Sequence, residues 1–78
     1  MKLNEITNEI ISYIQSSNSS TPKLTGDTKL LEEVLDFDSL DLAGLVAYLE
    51  EITDFDPFEG GFVEFETISE LAQLFIKQ

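Results

Sequence analysis

The sequence predicts an all-α protein, a small four-helix bundle of three main helices and one short third helix. Three observations carry that prediction. Apolar residues recur at helical spacing near the start of the chain and again after residue 39. A capping box stands before a last apolar-periodic segment, and the stretches between are rich in Ser, Asp, Pro and Gly.

From Leu3 to about Ser16, Leu3, Ile6, Ile10, Tyr13 and Ile14 form one stripe with Ile11 beside it, and Asn4 is placed to cap the start. The run Ser16-Ser17-Asn18-Ser19-Ser20-Thr21-Pro22 then ends the helix, and residues 17 to 37 form a long connection. Leu30, Leu31, Val34 and Leu35 can pin that connection to the core as a helical turn. Asp38 or Ser39 begins the next helix, since either is a good N-cap, and Asp41 in the first turn suits the positive end of the helix dipole. Ala43, Val46 and Leu49, flanked by Leu42 and Leu45, give this helix a buried face running to about Ile52. Gly44 inside it costs about 1 kcal/mol relative to Ala and asks for a reason.

Pro57 can open the short third helix, which Gly60 and Gly61 would end quickly. Phe62, Val63 and Phe65 alternate with Glu64 and Glu66, so a short strand is the rival reading there. Thr67-Ile68-Ser69-Glu70 is the capping box of the last helix, in which Ile68, Leu71, Ala72 and Phe75 recur at helical spacing.

Seventy-eight residues make one domain, residues 1–78. Its net charge is −12, from 16 acidic residues against four Lys, with no His and no Cys. Such a surface repels nucleic acid and anionic lipid and attracts proteins bearing Lys and Arg patches. The acids concentrate between Asp27 and Glu59, which favours a docking surface over a merely solubilising face. Met1-Lys2 is followed by a mixed polar and apolar segment, so neither a signal peptide nor a membrane span is expected, and the cytoplasm is the default.

No catalytic residues are predicted. A serine nucleophile needs a base within hydrogen-bond reach, and His and Cys are absent. Asp36, Asp38 and Asp41 sit close together, as do Asp54 and Asp56, but neither cluster has the spacing of a calcium loop, so no metal site is expected. What remains is Ser39, a hydroxyl at the mouth of a helix and ringed by acids. Its ordinary role would be to cap that helix; its useful role would be to be modified by another protein.

Leu35-Asp36-Phe37-Asp38-Ser39-Leu40-Asp41 resembles the phosphopantetheine attachment motif of the acyl and peptidyl carrier proteins, whose core reads Asp-Ser-Leu. Residues 45–51 resemble the second helix of that family, and Thr67-Ile68-Ser69-Glu70-Leu71-Ala72 its last helix, at a matching distance from the serine. The resemblance implies an acyl-carrier-protein-like bundle in which Ser39 receives 4′-phosphopantetheine from coenzyme A through a separate Mg²⁺-dependent transferase. Acyl, aminoacyl or peptidyl groups would then be carried as thioesters, and the chain itself would not be an enzyme. It further implies partner-recognition roles for Asp38, Leu40, Asp41, Ala47 and Glu50. Leu40 is the most diagnostic of these, because the family leaves it partly exposed. The implied partners are the phosphopantetheinyl transferase, an acyl- or aminoacyl-loading enzyme and a downstream synthase or transferase, engaged by a monomer that binds neither nucleic acid nor membrane.

This chain departs from the family pattern in having Asp36 where many members have Gly, and Gly44 where fatty-acid carriers commonly have Glu. Tyr48 and residues 56–62 also differ from the fatty-acid type. Those departures suggest a specialised stand-alone carrier serving polyketide, nonribosomal peptide or aminoacyl chemistry. The competing reading, an acidic interaction module that mimics nucleic acid or inhibits a basic partner, rests on charge alone and gives Ser39 no role.

Overall fold

The first helix begins where a carboxylate can reach back over its open end. In a computed structural model of the chain, which describes residues 2–17, 23–34, 37–61 and 63–76, α1 spans Leu3–Ser17. The Lys2 backbone N–H donates to Glu5 Oε1 at 2.8 Å. Asn4, the expected cap, lies inside the helix, and Glu5 takes the role because it stands three residues past Lys2. The four helices α1, α2 (Leu30–Glu33), α3 (Ser39–Thr53) and α4 (Ile68–Leu74) make the all-α bundle that the periodicity predicts.

The short helix is the second in chain order, at the helical turn expected around Leu30, and not the third. Leu30 and Val34 are buried, whereas Leu31 points out and is 51% exposed. At Pro57 the chain forms only a turn. Asp56 Oδ1 accepts from the Phe58 N–H at 2.9 Å, and the Gly61 N–H donates to the Phe58 carbonyl at 3.0 Å. Gly61 has φ 132°, outside the helical region, so the turn stops before a second one can form. Within the expected connection, the polar run at 18–22 and the pinning role of Leu35 lie outside the described residues, as do Asp36 and Phe62.

No strand occurs among the described residues. Instead, the chain entering α2 pairs briefly with the chain entering α4. The Leu30 N–H donates to the Glu66 carbonyl at 2.9 Å, the Ile68 N–H to Thr28 at 3.0 Å, and the Ser69 N–H to Gly26 at 2.8 Å. These bonds fix the start of α4, which Thr67 and Glu70 close with the predicted capping box.

α1 packs against both α4 and α3. The shared core holds Ile6, Ile10 and Ile14 from α1, Leu45 and Leu49 from α3, and Ile68, Leu71, Ala72 and Phe75 from the α4 region, with Leu24, Leu30 and Val34 from the connection. No polar or charged side chain is buried among the described residues. The buried stripe of α3 is rotated from the expected one: Leu45 and Leu49 are inside, Leu42 and Val46 are half-buried, and Ala43 is exposed. The larger side chains release more apolar surface from water, so the helix turns Leu45 and Leu49 inward and gives its small residues to the surface. The radius of gyration is 11.6 Å, against about 11.5 Å for a folded chain of this length.

Candidate functional site

Asp38, and not Ser39, is the N-cap of α3. Its Oδ1 accepts from the backbone N–H groups of Leu40 and Asp41, each at 3.0 Å, while Asp41 Oδ2 accepts from the Asp38 N–H at 3.1 Å. The tie left open by the sequence is broken by Asp41, whose carboxylate completes a reciprocal box only if the cap stands three residues earlier. The Asp41 N–H holds the Asp38 carboxyl below the usual carboxylate range, with the Asp41 side chain and the Leu40 N–H adding to the effect. The helix thus opens on an anionic cap, and its first residue, Ser39, is exposed with its hydroxyl outside the capping bonds.

A groove of about 400 Å³ opens beside Ser39 and runs down α3. Ser39, Leu42, Ala43, Val46, Ala47 and Glu50 form one wall, at the spacing that places residues on one helix face. Asp56 and Phe58 form the other wall. Phe58 is held from behind by an edge-on contact with Phe75, ring centroids 6.2 Å apart at 81°. The groove is therefore apolar along its length, with carboxylates at Glu50 and Asp56.

The residues singled out from the sequence fall into two sets. Ser39, Ala47 and Glu50 line the groove. Asp38, Leu40 and Asp41 stand at the helix entrance, all exposed, and Leu40 is 80% exposed, the most of any large apolar side chain in the described structure. Leu40 therefore does not serve the core. Asp56 and Phe58 were not foreseen, because they reach the groove from a turn whose place cannot be read from local pattern. Among the described residues no group of three or more carboxylates is arranged to hold a metal ion, and no helix is long and apolar enough to cross a membrane.

Gly44 also finds its reason here. A Cβ at that position would stand 2.8 Å from the Tyr13 hydroxyl oxygen, so α1 occupies the space that a side chain on α3 would need. Tyr13 is in turn packed on Tyr48, ring centroids 5.3 Å apart.

An exposed hydroxyl, free of capping duty and opening onto an apolar groove, fits a covalently attached extended group. A scan against protein-family models finds no match, and comparisons with curated proteins and with solved structures return none either.

Proposed function

We propose that the chain is a carrier protein, modified at Ser39 with 4′-phosphopantetheine by a separate transferase and not itself an enzyme. The observation that carries this reading is that Ser39 heads α3 without capping it, exposed at the mouth of the groove. Once attached, the prosthetic group supplies a thiol on which acyl, aminoacyl or peptidyl groups travel as thioesters, the sulfur chemistry that a chain without Cys lacks.

The residues of the chain do the rest. Ser39 Oγ attacks the coenzyme A phosphorus that bears the pantetheine arm, the pyrophosphate P–O bond breaks and adenosine 3′,5′-bisphosphate leaves; the base that takes the hydroxyl proton comes from the transferase, since the chain has no His. Leu42, Val46 and Phe58 offer an apolar wall along which the arm and its cargo can lie. Asp38, Leu40 and Asp41 surround the point of attachment, giving a basic partner both charge to steer by and an apolar anchor. Ala47 and Glu50 extend that contact down the helix. The loading enzyme and the downstream synthase or transferase would dock on the same acidic face, and a cytoplasmic monomer suits this traffic.

Intact mass spectrometry after incubation with coenzyme A and a promiscuous phosphopantetheinyl transferase tests the reading. Wild type gains one phosphopantetheine and Ser39→Ala gains none. Absence of any gain with several transferases would favour the acidic interaction module instead.

A further inference from the structure

We infer that the groove along α3 is a binding site for an elongated apolar molecule that ends in a cation, an alkyl ammonium in the simplest case. The inference does not depend on whether Ser39 is modified. The groove, of about 400 Å³, follows α3 from Ser39 to Glu50. Those two residues stand about 16 Å apart along the helix axis at the rise of an α-helix, so the space is long in one direction. Leu42 and Val46 on one wall and Phe58 on the other are half-buried, which leaves part of each open to a guest. A molecule lying on them removes apolar surface from water.

The polar groups on the walls select the guest. Glu50 is half-buried on the α3 wall, and Asp56 stands on the opposite one. Neither meets a counter-charge among the described residues: no described Lys lines the groove, and Lys29 lies 3.7 Å from Glu32 elsewhere. Asp56 Oδ1 accepts from the Phe58 N–H at 2.9 Å, which fixes the side chain on its wall without neutralising it. A guest that covers Leu42, Val46 and Phe58 takes water away from both carboxylates. A carboxylate so covered is destabilised unless a cation meets it. An anionic amphiphile would in addition meet the field of a chain of net charge −12. A neutral one would leave the two acids without a partner. An ammonium at the Glu50 end, with its chain running back toward Ser39, satisfies walls and charges together.

Isothermal titration calorimetry of the full chain tests this with probes kept below their micelle concentrations. Decylamine should bind at one site, with decanol and decanoate weaker by about tenfold or more. Butylamine carries the same charge but covers little of the walls, so it too should bind at least about tenfold more weakly. Glu50→Gln keeps the shape of the side chain, and Asp56→Asn keeps an acceptor for the Phe58 N–H. Each should raise the Kd of decylamine roughly two- to fivefold, as for loss of one partly exposed ion pair, and leave that of decanol unchanged. Asp27→Asn removes an exposed charge outside the groove and should leave decylamine within about 1.5-fold of wild type. Equal affinity for decylamine and decanoate overturns the inference, as does equal affinity for butylamine. A loss in Asp27→Asn as large as in the groove variants, or no binding of any probe, overturns it as well. The mass gain expected at Ser39 is read separately, so the carrier reading and this one fail independently.

Discussion

The Tyr48 hydroxyl donates to Glu9 Oε1 at 2.8 Å, joining residues 39 positions apart and fastening the outer side of α3 to α1. The bond raises the Tyr48 pKa, chiefly because the neutral phenol is the donor to Glu9, with burial adding to the effect. A group whose folded pKa is raised contributes stability that is fully present below its unfolded pKa and lost as pH rises through the folded one. Tyr48→Phe should therefore lower the melting temperature at neutral pH, and its deficit against wild type should shrink above about pH 10. In Tyr13→Phe, where Tyr48 is the only tyrosine, ultraviolet titration should give a later midpoint folded than in denaturant.

Leu40 and Leu45 are five residues apart on α3 and should respond in opposite ways. Leu45 is fully buried, so Leu45→Ala should cost about 2–5 kcal/mol in urea denaturation. That is a large share of the stability of so small a chain. Leu40→Ala should leave stability within about 0.5 kcal/mol of wild type, as for other surface changes, and on the proposed carrier reading it should slow modification of Ser39. Equal loss of stability in the two would mean that Leu40 packs somewhere after all.

Much of the fold was legible because its signals are local. Thr67 and Glu70 stand three residues apart and close their box as read, and Ile68, Leu71, Ala72 and Phe75 are all buried as their spacing predicts. Where two local signals compete, sequence could not choose. Asp38 and Ser39 both accept hydrogen bonds, Pro57 opens helices and turns alike, and Asn4 caps no better than Glu5 reaching back to Lys2. The candidate site was half legible for a different reason. Ser39, Ala47 and Glu50 share one helix face and could be grouped by spacing, but the facing wall comes from Asp56 and Phe58, and Gly44 is explained only by Tyr13. Those pairings depend on how helices and turns meet, which periodicity does not encode.

Charge steering can be separated from the caps at Glu50. Asp41 holds the capping box of α3, so reversing its charge would disturb the helix as well as the proposed docking face. Glu50 makes no such bond and lines the groove. On the proposed carrier reading, Glu50→Lys should slow modification of Ser39 by lowering the association rate, and added salt should slow wild type more than the variant. Stopped-flow association at two ionic strengths measures this; rates indifferent to both would leave the acids with solubility alone.

Asp54 ends α3 in the left-handed region, at φ 54° and ψ 41°. An L residue pays a steric cost there that Gly does not, although Asp tolerates the region better than most. Asp54→Gly should stabilise the chain by up to about 1 kcal/mol, the relief of strain being partly offset by the greater freedom of Gly in the unfolded state. A urea midpoint that rises without a change in slope is the expected result.

The cap of α4 gives an acid-sensitive contribution that can be isolated from the charge of the whole chain. The Thr67 N–H, with the Thr67 hydroxyl and the Glu66 N–H, holds the Glu70 carboxyl below its ordinary range. A depressed carboxylate contributes stability that is present above its unfolded pKa and lost as pH falls through the folded one. Acid also relieves the repulsion of a −12 chain, so wild type alone would mix two opposite trends. Glu70→Gln changes that repulsion by only one charge, so the difference between wild type and variant isolates the cap. Urea denaturation should show wild type more stable at pH 7, the gap narrowing as pH falls below the ordinary Glu value of about 4.3 and closing once Glu70 is protonated in the folded state as well. A gap that persists in acid would assign the effect to packing of the Glu70 side chain instead of its charge.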